Sequence, residues 1–165
     1  DHPGMTCGAA QPRPQSTGYV RARSADAAEA PRVQPNYLAE AEDQRITLFG
    51  LRLARDLLHR PELANYFEAE TLPGPGVQTD DEWLDFARRR GNTGYHLVGT
   101  CKMGPVSDKR AVVDDELRVH GLQGLRVVDA SIMPMLPSAN TFAATIAIAE
   151  KGADLIRGRS IASIS

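Results

Sequence analysis

The chain has 165 residues, of which 42% are hydrophobic and 24% are charged. These fractions are typical of a globular chain that can bury a core, so the composition excludes global disorder. The formal net charge of -2 gives no general attraction to nucleic acid or to an anionic membrane surface. The apolar runs all fall short of the roughly 18 residues that a membrane-spanning helix needs.

The cysteine content and the first residues indicate the cellular compartment and whether the chain is part of a longer protein. Cys7 and Cys101 are too few for a disulfide framework, and they lack the CxxC spacing of a zinc site. We expect two free thiols in a cytoplasmic, reducing compartment and no metal, although the sequence leaves one bridge between them open. The first ten residues lack the pattern of a signal peptide, and residue 1 is not Met. These features favour a segment of a longer protein.

The first predicted elements are a strand and a long helix. Residues 17–25 alternate apolar with charged or small side chains, which predicts a short strand, and Pro35 ends any strand or helix that reaches it. Residues 43–68 predict a helix because apolar side chains recur every three or four residues: Ile46, Phe49, Leu53 and Leu57. His59 is predicted to interact with the negative C-terminal end of this helix dipole.

A second helix is predicted after a loop. Residues 72–78 (LPGPGVQ) contain two prolines and two glycines, a composition typical of loops. Thr79 is followed three residues later by Glu82, which is the spacing of a capping box. The sequence therefore predicts that a helix begins directly after Thr79 and ends near the arginine run at residues 88–90, whose side chains we expect in solvent.

The last third of the chain predicts two strands, a loop and a helix. Residues 111–114 and 125–129 are short apolar runs, and the second resembles a buried strand of a mixed or parallel sheet. Residues 141–158 predict a helix that Ser138 or Asn140 caps and Gly158 ends. Gly152 lies inside this helix and permits close packing. The free N–H groups at its start suit an electron-rich ligand, although its small residues also suit packing on a sheet.

Residues 94–104 (GYHLVGTCKMG) place His96 and Cys101 among three glycines. An imidazole can accept a proton from a hydroxyl group at neutral pH, so His96 is a candidate general base. A hydrogen-bonded structural role for His96 stays open on this evidence alone. Cys101 is a weaker candidate because a nucleophilic thiol needs a paired base and the sequence shows none.

Two stretches together resemble the C-terminal signature of the glucose–methanol–choline (GMC) family of flavoproteins, whose members oxidise alcohols with FAD. These stretches are YHLVGTCKMG and LRVVDASIMPMLPSANTFAATIAIAEKGADLI. The preceding stretch, with RARSAD, PNYL and LRLAR, is similar to part of the family's substrate domain. The resemblance covers nearly the whole chain, with five features in the expected order. It implies an α+β (mixed) fold: residues 1–95 form a portion of the antiparallel-sheet substrate-binding domain. Residues 96–165 return to the FAD-binding domain with its closing strand and helix.

The resemblance also implies roles for single residues. His96 matches the histidine that takes the hydroxyl proton beside the flavin N5, and Asn140 matches the second active-site position. The predicted cofactor-binding residues are Asp129, Ala130, Asn140, Thr141 and Thr145. The sequence departs from the commonest family pattern at Leu97, Phe142 and Ala144.

The implied reaction is oxidation of a small alcohol to a carbonyl compound by hydride transfer to FAD. No GxGxxG fingerprint is present, so the chain is expected to depend on an N-terminal FAD-binding portion of the same enzyme and to be inactive alone. Neither nucleic acid nor a membrane span is expected. Two alternatives stay open: a lyase or light-driven enzyme on the same scaffold, and a non-catalytic packing domain.

Overall fold

The computed structural model describes residues 3–159. The chain divides into two compact units, Asp1–Thr93 and Gly94–Ser165. In the described part, three α-helices and two short 3-10 helices accompany a two-stranded sheet, which makes the structure mixed, as predicted. The elements are β1 (Tyr19–Arg21), β2 (Arg32–Gln34), α1 (Ala41–Leu58), a 3-10 helix (Pro61–Tyr66), α2 (Asp80–Arg90), a second 3-10 helix (Ala130–Ile132) and α3 (Phe142–Ile156).

The sheet of the first unit is a short antiparallel hairpin. The strand predicted within residues 17–25 is confirmed as β1, and Val20 pairs with Val33 of β2. The guanidinium groups of Arg21 and Arg32 lie 4.7 and 5.7 Å from the centroid of the Tyr19 ring, so cation–π contacts support the pairing. As predicted from its missing N–H, Pro35 directly follows the last residue of β2.

The prediction of one helix over residues 43–68 is correct as far as Leu58 and wrong beyond it. Arg60 is extended, with φ -66° and ψ 143°, because a residue before proline avoids the helical region. Pro61 then begins a separate 3-10 helix. His59 does lie at the end of α1: its Nδ1 atom is 2.8 Å from the carbonyl oxygen of Arg55.

The start of α2 is the predicted capping box. The Thr79 hydroxyl accepts a hydrogen bond from the N–H of Glu82, and the Glu82 carboxylate accepts one from the N–H of Thr79 at 2.8 Å. The backbone hydrogen bond from Thr79, with a further one from Gln78, lowers the pKa of Glu82. The arginines of the last turn of α2 are exposed, as predicted.

A partly buried arginine joins α1 to α2. The Arg55 guanidinium lies 4.2 Å from the centroid of the Trp83 ring, and Trp83 is among the most buried residues of the unit. Arg55 also forms an ion pair with Glu70 at 2.8 Å and donates to the carbonyl oxygens of Gly74 and Val77. One planar side chain therefore holds the loop between the two helices.

Asp43 in the first turn of α1 holds the segment that precedes β1. Its carboxylate is buried, and it accepts hydrogen bonds from the N–H groups of Gln15 and Ser16 at 2.9 and 2.7 Å. The Ser16 hydroxyl donates a third at 2.5 Å. Burial raises the pKa of Asp43, but the hydrogen bonds from Ser16 and Gln15 together outweigh burial and lower it.

The second unit is built around a small apolar core that α3 covers. Val113, Leu117 and Ile132 are buried, and partly buried side chains pack on them: Met103, Val112, Val119, Val127, Val128, Ile148 and Leu155. In this unit the prediction of strands at residues 111–114 and 125–129 is wrong. Those segments form only isolated bridges, Met103 with Val113, Val113 with Val119, and Arg118 with Arg126. The chain reverses at Gly121 and Gly124, which both have positive φ, and the N–H of Val119 donates to the carbonyl oxygen of Leu125 across this turn.

The helix predicted over residues 141–158 is confirmed as α3. It ends at Ile156 with Arg157 as its C-cap, and Gly158, the predicted stop residue, follows with a φ of 67° that suits glycine. The N–H of Arg159 donates to the carbonyl oxygen of Asp154. Gly152 is buried against Val128, and a Cβ atom at this position would overlap the valine side chain. None of the helices in residues 3–159 is both long and apolar enough to cross a membrane.

Candidate active site

The amino terminus of α3 is open. The prediction that Ser138 or Asn140 caps this helix is wrong, because the N-cap residue is Thr141, with φ -73° and ψ -8°. The Thr141 side chain makes no capping hydrogen bond, and within residues 3–159 no side chain accepts from the N–H groups of the first turn. Asn140 is exposed directly before the cap.

The structure brings His96 to this same point. The Nδ1 atom of His96 lies 2.9 Å from the Thr141 hydroxyl oxygen, across 45 positions in sequence. Thr141 is 8% exposed and His96 is half-buried. His96, the residue predicted as the base, therefore contacts Thr141 at the start of α3, and Thr141 directly follows Asn140 in sequence. The predicted pair, His96 and Asn140, flanks one helix terminus.

Backbone hydrogen bonds hold together the two motifs that carry the predicted site. The N–H of Cys101 donates to the carbonyl oxygen of Ser131 at 3.0 Å, and that of Met103 donates to Ile132 at 2.8 Å. The ion pair of Lys102 with Asp108, at 2.5 Å, fixes the following turn. The hydrogen bond from Lys102 lowers the pKa of Asp108. The segment after His96 and the loop that leads to α3 are thus neighbours.

The other predicted site residues have defined places in the second unit. Asp129 is the N-cap of the second 3-10 helix, and its carboxylate accepts from the N–H of Ser131 at 2.8 Å. Ala130 is the first residue of that helix. Thr145 lies one turn into α3, and its hydroxyl donates to the carbonyl oxygen of Thr141 at 2.8 Å. Asp129 and Ala130 make no direct contact with His96 or Thr141 among the hydrogen bonds of residues 3–159.

The predicted list missed the link between His96 and Thr141. A threonine at a helix start ordinarily indicates a cap, and nothing in the sequence pairs it with a histidine 45 residues earlier. Exposed apolar side chains belong to the same segments: Leu97, Met135 and Phe142, the last 74% exposed. The helix start therefore combines open N–H donors, an imidazole and an apolar surface.

The first unit contains a separate cleft of about 430 Å³. Aromatic and apolar side chains line it, together with the Arg55–Glu70 ion pair, and Cys7 lies at its wall. None of the predicted site residues lines this cleft. Both cysteines carry free thiols. Within residues 3–159, no group of three or more His, Cys, Asp or Glu side chains is arranged to hold a metal ion.

Comparison with known proteins gives consistent matches. A family model described as GMC oxidoreductase matches residues 14–149. The chain is 45% identical over 157 residues to the oxygen-dependent choline dehydrogenase of Cronobacter sakazakii, covering 95% of this chain and 28% of the relative. This chain therefore spans little more than a quarter of the length of that curated relative.

Solved structures agree with the sequence matches. The pyridoxine 4-oxidase from Mesorbium loti superimposes with a TM-score of 0.81 and 38% identity, covering 90% of this chain and 29% of that one. An FAD-dependent oxidoreductase from Chaetomium thermophilum superimposes with a TM-score of 0.77 and 30% identity, covering 86% of this chain and 24% of that one.

Proposed function

This chain belongs to the GMC oxidoreductase family, and on that premise we propose that it is the C-terminal part of an enzyme that oxidises an alcohol to a carbonyl compound with FAD. Within that enzyme, His96 is the base that accepts the hydroxyl proton. The observation that carries the proposal is the hydrogen bond that holds His96 at the open start of α3, next to Asn140.

The residues at the start of α3 fit a flavin ring. The first turn offers N–H donors without a side-chain cap, and the neighbouring surface is apolar and formed partly by small residues. Such a surface suits a flat ring with a polar edge. When bound, FAD supplies the two-electron acceptor for the hydrogen on the alcohol carbon. Asp129, Ala130, Asn140, Thr141 and Thr145 are the residues that we propose to hold it.

The chemistry of the chain's own residues follows from their side-chain types. The imidazole of His96 takes the proton from the alcohol oxygen, which leaves negative charge on that oxygen. The Asn140 amide carries no titratable group near neutrality, so it donates a hydrogen bond to the developing alkoxide and stabilises it. One residue thus acts as a base and the other as a donor.

The division of the chain supports a proposal about domains. We assign residues 1–95 to the substrate-binding domain and residues 96–165 to the FAD-binding domain, and the two compact units divide close to this boundary. The remaining FAD-binding portion of the enzyme is the partner that this chain requires, so the isolated chain is inactive. We assign the enzyme to the cytoplasm. The similarity to a choline dehydrogenase supports an alcohol substrate without selecting choline.

A spectroscopic titration tests the reaction class. The complete enzyme is mixed with primary alcohols, choline among them, in the absence of oxygen, and its visible spectrum is recorded. We expect the absorption bands of oxidised flavin to bleach with at least one alcohol. A flavin that stays oxidised with every alcohol contradicts the proposal and favours the lyase or light-driven alternative. A purified enzyme without flavin contradicts the cofactor assignment itself.

A further inference from the structure

We propose that Thr141 is a positioning residue for His96, which fixes the imidazole tautomer that can act as a base. The inference rests on the proposed function, because it concerns how His96 becomes competent for proton abstraction. Its starting point is the 2.9 Å separation between the His96 Nδ1 atom and the Thr141 hydroxyl oxygen.

The Thr141 hydroxyl departs from the usual behaviour of its position. A threonine at a helix N-cap ordinarily accepts a hydrogen bond from an N–H group of the first turn. Here the side chain makes no such bond, and its oxygen faces the His96 ring instead. Local rules that a sequence breaks without local compensation are concentrated at functional sites. The geometry at Thr141 therefore points to a role outside helix capping.

The threonine is held firmly enough to orient the ring. It is 8% exposed, and its carbonyl oxygen accepts from both the N–H and the hydroxyl of Thr145, at 2.9 and 2.8 Å. The hydroxyl of Thr145 is thereby engaged with the backbone of α3. The first turn of the helix therefore fixes the position of Thr141, and the hydrogen bond between its hydroxyl and Nδ1 orients the His96 ring.

The direction of the hydrogen bond between His96 and Thr141 decides whether His96 can accept a proton from the alcohol. A neutral imidazole carries one ring proton, and the nitrogen without it is the acceptor. When Nδ1–H donates to the Thr141 oxygen, Nε2 keeps its lone pair and can accept a proton. The O–H bond of the alcohol then breaks, its electron pair stays on the oxygen, and an N–H bond forms at Nε2. The resulting imidazolium keeps the same Nδ1–H donation to Thr141, so the ring does not reorient.

The opposite direction prevents this reaction. If the threonine hydroxyl donated to Nδ1, the ring proton would lie on Nε2, and that nitrogen could not accept another. The hydrogen bonds that a histidine makes at one ring nitrogen set the protonation of the other. Removal of the hydroxyl therefore allows both tautomers and leaves a fraction of the enzyme without a competent base.

Two variants of the complete enzyme separate positioning from structure. Thr141→Val keeps the shape of the side chain and removes the hydroxyl, whereas Thr141→Ser keeps the hydroxyl. We expect Thr141→Val to lower kcat about 10-fold with little change in KM, in line with the effect of losing an orienting partner. With kcat expressed per bound flavin, Thr141→Ser should restore most of the loss. Equal losses in both variants, or a normal kcat in Thr141→Val, would overturn the proposal.

A measurement on the enzyme with Thr141 intact is independent of how the Thr141 variants fold. Nitrogen NMR of the enzyme labelled with ¹⁵N-histidine distinguishes a protonated from a bare ring nitrogen, and His96→Ala identifies the signals. At a pH where the ring is neutral, we expect the proton of His96 on Nδ1. A proton on Nε2 would overturn the positioning role. If His96→Ala instead turns over normally, the failure lies in the proposed function and not in the role of Thr141.

Discussion

Replacement of Asp43 by alanine should release residues 15 and 16 from the first turn of α1. The buried carboxylate accepts hydrogen bonds from three donors, the N–H of Gln15 and the N–H and hydroxyl of Ser16, at distances of 2.5 to 3.1 Å. A hydrogen bond to a charged group contributes about 1.5–3 kcal/mol, and its loss leaves the N–H donors without an acceptor. Because such contributions are not additive, we expect a local loss of about 3 kcal/mol, equivalent to about a 100-fold larger open population.

Hydrogen exchange in the complete enzyme measures this local opening, because it reports on single segments without requiring two-state unfolding. Peptides that contain residues 15 and 16 should exchange about 100-fold faster in Asp43→Ala. Glu42→Ala is the matched control: it is adjacent and acidic, and its carboxylate pairs on the surface with Arg45 at 2.7 Å. Surface pairs of this kind contribute little. Equal exchange in the two variants would refute the role assigned to Asp43.

The remaining predictions concern acid, packing and a partly buried ion pair. Because the folded-state pKa of Asp43 is lowered, its stabilisation is complete above the unfolded pKa and is lost as the pH falls through the folded value. The protection of residues 15 and 16 from exchange should therefore fall in acid, and protection that stays constant would contradict this. Gly152→Ala should cost about 1–3 kcal/mol because the added Cβ atom overlaps Val128. Val128→Ala should recover part of that loss, measured as protection of α3 from hydrogen exchange, and purely additive effects of the two changes would contradict the overlap. Arg55→Met should cost about 1.5–3 kcal/mol because the partly buried Glu70 carboxylate loses its guanidinium partner. Adding Glu70→Met should recover part of this loss, measured by hydrogen exchange at residues 72–78, and no recovery would count against the ion pair.

The family was predictable from the sequence because its signature lies in local motifs. The predicted GMC family is confirmed by the matching family model and by the similar proteins, one of which is an FAD-dependent oxidoreductase. Several local elements were also predictable. The capping box at Thr79 and the helix stop at Gly158 depend only on residues within one or two turns, so the local sequence is enough to predict them.

Elements that depend on distant partners were predicted less well. The apolar runs at residues 111–114 and 125–129 have the composition of strands, but a strand needs a neighbour of matching length, and in the described residues these runs find only bridge partners. The cap of α3 was misplaced for a similar reason. The backbone around Thr141 is set by its neighbours in space, and the side-chain contact with His96 joins residues 45 positions apart.

The roles of the predicted site residues remain predictions. His96 and Thr141 lie together, and Asn140 is next to them in sequence, whereas Asp129 and Ala130 belong to a short helix whose carbonyl groups hold the segment after His96. Proximity of this kind shows which side chains can act jointly. A rate measurement on a His96 variant distinguishes a base from a structural histidine.

The most direct test of the central claim is the rate at which an alcohol reduces the flavin of the complete enzyme under anaerobic stopped-flow conditions. His96→Ala should retain flavin and lower this rate by at least about 100-fold, the usual contribution of a general base. Cys101→Ser, a change in the same motif, should leave the rate nearly unchanged. A His96→Ala enzyme that reduces its flavin at the normal rate would contradict the account.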